Sequence, residues 1–98
     1  MSRRWIVRPL AESDLDRAAS WYEKQKSGLG LLFLDAADQL FRRLRESPLQ
    51  FPFVSADVHR ALLHTFPYAV YFRVSDDTVV VLAVLHLSRD PRTWRVRS

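Results

Sequence analysis

From Thr78 to Leu85 the chain reads Thr-Val-Val-Val-Leu-Ala-Val-Leu, apolar or β-branched at every position. A strand without a polar face requires cover on both sides, so this segment belongs inside a sheet rather than at its rim. The run ends abruptly in His86-Leu87-Ser88-Arg89-Asp90-Pro91-Arg92-Thr93-Trp94. An imidazole, two guanidinium groups and an indole therefore follow directly on a rigid element, where side chains are held accurately.

The rest of the chain supplies the partners of that strand. Arg4-Trp5-Ile6-Val7-Arg8 reads as a short first strand closed by Pro9. The spacing of Leu15, Ala18, Ala19 and Tyr22 predicts a helix from about Leu10 to Lys26, with Ser13 a possible cap and Gly28 as its left-handed stop. A second helix is expected over Leu31–Glu46, with Phe33, Ala37, Leu40 and Leu44 as its stripe and Leu34, Ala36 and Phe41 widening it. Ser47-Pro48 ends it. The short Gly28-Leu29-Gly30 joint makes the pair an antiparallel hairpin. An irregular stretch around Phe51-Pro52-Phe53 follows, then strands Val58–Thr65, Tyr68–Val74 and Thr78–His86, the last two joined by a Ser75-Asp76-Asp77 turn. The order β-α-α-β-β-β predicts an α+β fold: a helical hairpin on one face of a twisted, mainly antiparallel four-stranded sheet. The opposite face is expected to be less covered and to hold any concave site.

At 98 residues the chain is one domain, 1–98, able to bury roughly 60–65% of its unfolded surface. It has no cysteine, which fits a reducing cytosol and gives no disulfide. No apolar run reaches the ~18 residues of a membrane span, and Arg3-Arg4 leads into no apolar h-region, so neither membrane association nor a signal peptide is expected. The formal charge is +4, and all the basic residues except Lys24 and Lys26 are arginine. A GC-rich genome would account for much of that bias. The crowding of Arg89, Arg92, Arg95 and Arg97 at the end suits nucleic acid or an acidic protein, or simply a solvated terminus.

Candidate site residues follow from strand alternation. Arg60, Leu62 and His64 share one face of their strand, an arrangement able to hold a phosphate and move a proton, or merely to wet a strand. Tyr71 and Arg73 are expected on the less covered face, with Tyr68, Val70, Phe72 and Val74 in the core. His86 and Arg89 are the strongest candidates. Their alternative roles are, for His86, capping strand carbonyls and, for Arg89, pairing with Asp90 or a helix carboxylate. Trp94 fits a packing anchor as well as a target contact. No glycine-rich phosphate loop and no metal-ligand spacing occur, so no cofactor is expected.

One family combines these features in this order: Ala11 to Leu15 and Trp21-Tyr22-Glu23; Gly28-Leu29-Gly30 leading to Phe33; Pro48 and Phe51-Pro52; His59-Arg60-Ala61-Leu62-Leu63; Phe66-Pro67-Tyr68; and Ala83 to His86 through Arg89-Asp90-Pro91 to Trp94. In these the chain resembles toxins of the RelE/ParE superfamily of type II toxin–antitoxin systems, over nearly its whole length. The resemblance implies a cytoplasmic toxin held in a hetero-oligomer by a cognate antitoxin, which wraps it with an amphipathic helix and an extended tail. Two mechanisms occur in the superfamily. ParE-type toxins inhibit DNA gyrase by binding. RelE-type toxins cleave mRNA on the ribosome, for which Arg60, His86 and Arg89 would be the catalytic set here. The chain lacks the mid-sheet lysines of many RelE-type nucleases, having none after Lys26, and Trp94 stands where they carry a tyrosine. The ParE-like reading is therefore favoured, with Arg60, Tyr71, Arg73, His86, Arg89, Arg92 and Trp94 as target- or phosphate-binding candidates. A ribosome-dependent endoribonuclease is the alternative, and a small non-toxic binding module the second.

Overall fold

The computed structural model describes residues 3–98. Among these, β1 (Arg4–Val7) leads into α1 (Pro9–Gln25) and α2 (Leu29–Glu46), a 3₁₀ turn (Pro48–Gln50), then β2 (His59–Leu62), β3 (Tyr68–Val74), β4 (Thr78–His86) and a short α3 (Arg92–Arg95). The sheet order is β1-β4-β3-β2. The apolar strand β4 thus lies inside the sheet, parallel to β1 and antiparallel to β3. Parallel neighbours need a long connection, and here the two helices with β2 and β3 lie between β1 and β4 in the chain. The α+β arrangement expected from the sequence is the one observed. No helix among the described residues is long and apolar enough to cross a membrane.

Both helices start earlier than their apolar spacing suggests. Pro9 occupies the first turn of α1, where its fixed φ suits the helix and its missing N–H costs nothing, so Ser13 lies inside the helix rather than capping it. Gly28 is left-handed, with φ of 91°, but it serves as the residue before α2 rather than the stop of α1. The Glu23 carboxylate accepts the Gly28 N–H at 3.1 Å and the Gly30 N–H at 3.0 Å, so a side chain of α1 caps α2. These two bonds, the first to Gly28, hold the Glu23 carboxyl below its ordinary range.

The stripe Phe33, Ala37, Leu40 and Leu44 is buried against Val70, Phe72, Val79, Val81 and Val84 of the sheet. Leu34, expected to widen it, is largely exposed. β2 stops at Leu62, three residues short of expectation. The chain then turns through Thr65, which adopts a left-handed φ of 77° ahead of the Phe66-Pro67 corner.

Two features depart from simple alternation. β4 carries a bulge: Tyr71 pairs with Ala83 and Phe72 with Val81, leaving Leu82 extra. Val79 and Val81 face the helices before it, and Val84 does so after it, while Leu82, Ala83 and Leu85 face away. The face opposite the helices is also not the open surface expected. Trp94, Val58 and Val54 close over Ala69, Tyr71, Leu82 and Leu85 as a second small core.

Candidate functional site

The bulge decides where the polar end of β4 points. Strict alternation from Val79 and Val81 would carry His86 to the far face. With Leu82 inserted, His86 follows Val84 onto the helix side, opposite Tyr68, whose ring centroid lies 5.2 Å from the imidazole. Arg89 lies one turn beyond, its N–H donating to the His86 carbonyl at 3.0 Å. Together with Asp14, Arg17 and Ala18 of α1 these residues line a shallow cleft of about 80 Å³.

The chemistry of the cleft is fixed by its hydrogen bonds. His86 Nδ1 accepts the Ser88 N–H at 3.0 Å, with the Ser88 hydroxyl 2.8 Å from the same nitrogen. A backbone N–H can only donate, so in the neutral ring the proton sits on Nε2. Burial pushes the Tyr68 phenol up, against the smaller opposing pull of the Arg89 charge, so it remains a protonated donor. Asp90, one of the alternative partners for Arg89, is taken by Arg92 instead. Its Oδ2 accepts from Arg92 Nη2 at 2.6 Å and Nε at 3.0 Å, and its Oδ1 accepts the Arg92 N–H at 2.9 Å. That guanidinium holds the Asp90 carboxyl below its ordinary range, and Arg92 is raised in turn. Arg89 is left exposed with no ion-pair partner among the described residues. Arg17 donates to Asp14 at 3.0 Å from an otherwise open side chain. The cleft therefore presents hydrogen-bond donors and positive charge.

The remaining sequence candidates lie elsewhere. Arg60 is opposite Tyr71 in the ladder and so on the face away from the helices. The sheet stands between it and the His86–Arg89 cleft, and the expected grouping of Arg60, His86 and Arg89 in one centre is not formed. His64 falls beyond β2, in a cleft with Leu29 and Leu32 of α2, and does not share a face with Arg60. Arg73 reaches Asp57 at 3.8 Å beside Val80. Tyr71 and Trp94, candidates for target contact, stack on each other at 5.1 Å and are only 7% and 5% exposed. Their rings are spent closing the far face, with Arg95 over the indole. Arg92 is exposed but tied to Asp90.

Sequence reasoning missed Arg17 and Tyr68. Arg17 had no visible link to a strand 70 residues away, and Tyr68 read as core because it is half core, packing on Tyr22 and Phe33. No group of three or more His, Asp or Glu side chains among the described residues is arranged to hold a metal ion.

The comparisons with known proteins bear on the family and the fold. Residues 6–91 match the family model described as ParE toxin of the type II toxin–antitoxin system parDE. No curated protein sequence matches. Among solved structures, a chain of the chromosomal ParDE toxin–antitoxin system from P. aeruginosa superposes with a TM-score of 0.77, at 18% identity over 86% of this chain and 95% of that one. A chain of the RelBE2 toxin–antitoxin complex from Mycobacterium tuberculosis superposes with a TM-score of 0.60, also at 18% identity, over 88% and 99%. The first has the same α+β arrangement. With the family model spanning most of its length, the chain belongs to the ParE toxins, within the RelE/ParE superfamily of type II toxin–antitoxin toxins.

Proposed function

We propose that this toxin arrests growth in the cytoplasm by binding DNA gyrase, without hydrolytic chemistry of its own, until a cognate antitoxin neutralises it. The observation that carries the reading is the lack of a free base in the cleft, whose one carboxylate, Asp14, is taken up by the Val84 N–H, Arg17 and Arg97. Cleavage of RNA by its own 2′-hydroxyl needs a base to take that proton. In neutral His86 the lone pair of Nδ1 is engaged by Ser88 and Nε2 holds the proton. Tyr68 is held protonated, and Arg89 has no acceptor. Such a set binds an acidic or phosphate-bearing surface well and abstracts a proton poorly.

The test is a supercoiling assay with purified gyrase beside a translation assay that maps mRNA ends by primer extension. The expected result is inhibited supercoiling, relieved at least tenfold by Arg89→Ala, with intact transcripts. Normal supercoiling accompanied by cuts at fixed codon positions would reject the proposal in favour of a ribosome-dependent ribonuclease. Harmlessness in both assays and in cells lacking antitoxin would reduce the chain to a binding module.

A further inference from the structure

The cleft of the proposed gyrase contact has an apolar wall that its hydrogen bonds do not use. Trp21 follows Asp14, Arg17 and Ala18, the three α1 residues that line the cleft, at spacings that put all four on one side of the helix. The indole is 56% exposed. Its ring meets Tyr22 edge-on at 5.1 Å, Tyr22 lies 6.0 Å from Tyr68, and Tyr68 lies 5.2 Å from His86. A row of rings thus leads from the indole to the imidazole. Tryptophan and arginine are among the residues most enriched where a protein contact holds most of its energy.

The charges beside the indole describe the group that enters. Arg92 is neutralised by Asp90, and Arg17 shares its guanidinium with Asp14. Arg89 is therefore the uncommitted cation of the cleft among the described residues. It donates through a planar fork, and the proton on Nε2 of neutral His86 adds one more donor. This set matches a single negative charge, and a volume of about 80 Å³ admits one such group rather than a chain of them. Nucleic acid is a poor occupant. Its phosphates follow one another and are met by successive cations, whereas here the carboxylates of Asp14 and Asp90 stand beside Arg17 and Arg89. A carboxylate side chain carries one charge, accepts two parallel bonds from a guanidinium, and arrives with neighbours able to cover an indole.

We infer that the cleft receives an aspartate or glutamate side chain of gyrase, with an apolar side chain of the same gyrase segment laid on Trp21. Arg89 holds the carboxylate, and Trp21 decides which acidic surface is accepted. The inference rests on the gyrase reading and specifies its contact.

The experiment uses gyrase holoenzyme and substitutions in the full-length chain. Trp21→Ala should raise the concentration that half-inhibits supercoiling at least about tenfold. Trp21→Phe, which keeps an aromatic face, should raise it less than about threefold. The circular dichroism spectra of both should match the parent's. Arg89→Lys places a primary amine in the cleft. A water-soluble carbodiimide activates a neighbouring carboxylate, the amine displaces the urea, and one amide joins the two chains. Mass spectrometry should find that amide between position 89 and an aspartate or glutamate of gyrase beside an apolar residue. A parent chain that leaves supercoiling untouched removes the gyrase reading and this inference together. Where the parent inhibits, Trp21→Ala as potent as the parent overturns this inference alone, and so does the absence of an amide at position 89 at saturating gyrase. Retention of gyrase-free plasmid DNA by the parent and not by Trp21→Ala would name nucleic acid as the occupant and overturn it as well.

Discussion

At the scale of single residues, the two glycines do different work. A Cβ on Gly30 would lie 2.7 Å from the Ala19 carbonyl oxygen, a backbone atom that cannot swing away. Gly30→Ala gains about 1 kcal/mol of helix propensity and loses about 1–3 kcal/mol to overpacking, so the clash wins. We expect the variant to melt several degrees lower by circular dichroism. A Cβ on Gly28 meets nothing within 4 Å, and only its φ of 91° resists a side chain. Gly28→Ala should therefore cost about 1–2 kcal/mol through the backbone alone. Glu23, which caps α2 through both these residues, makes the joint sensitive to acid. Its folded carboxyl lies below the ordinary value of 4.5, so its contribution is complete above that value and is lost as pH falls through the folded one. Glu23→Gln should melt lower than the parent at pH 7, and the gap should narrow as pH falls below 4.5. A gap that does not change with pH would mean the carboxylate is not the cap.

At the scale of elements, the decisive feature is the edge of β4 beyond the end of β1. Past Val81 the strand has no neighbour on that side. Asp14, only 4% exposed, fills the place: its Oδ2 accepts the Val84 N–H at 2.9 Å. Arg97 completes the seal, donating to Asp14 at 2.5 Å and to the Leu82 carbonyl at 3.3 Å, while Arg8 donates to the Arg97 carbonyl at 2.8 Å. The tail beyond Trp94 is thus a latch across an otherwise unsatisfied strand edge. Removing one partner of a buried pair strands the other, so Arg97→Ala should cost about 3 kcal/mol. Trypsin should then cut faster after Arg92 and Arg95, and mass spectrometry of the digest would show it. Equal cutting of variant and parent would mean the latch holds nothing. None of this was legible in the sequence, because Asp14 and Arg97 are 83 residues apart and each reads as a solvated charge. What was legible were the patterns that span several residues: the α2 stripe, the buried run of β4, and the order of the strands. The aim of His86 was not, since one extra residue in β4 reverses the face of everything after it and leaves no compositional trace.

At the scale of the whole molecule, charge and shape divide the surface by function. The helical hairpin and the Trp94 closure bury both faces of the central strands, so recognition is left to rims: the His86–Arg89 cleft, the arginines of β1, and Arg60 and Arg73 on the far face. These rims carry the same sign on a chain of net charge +4 and pI near 10.1. Fixed charges of one sign raise the encounter rate with an acidic partner, whereas a docked, desolvated contact governs how long the complex lasts. The association rate with the antitoxin, or with gyrase as the proposed target, should therefore fall about tenfold or more between 50 and 500 mM salt if that partner's surface is acidic, while the dissociation rate changes by less than about threefold. Surface plasmon resonance across that range separates the two. Arg89→Ala should raise the dissociation rate from gyrase, because Arg89 is the uncompensated cation in the cleft. Arg92→Ala frees the Asp90 carboxylate beside Arg89 and should slow association, whereas the double variant Asp90→Asn/Arg92→Gln removes a near-neutral pair and should leave both rates close to the parent's. If the double variant proved more damaging than Arg89→Ala, the contact surface would lie on the α3 side of the turn rather than in the cleft.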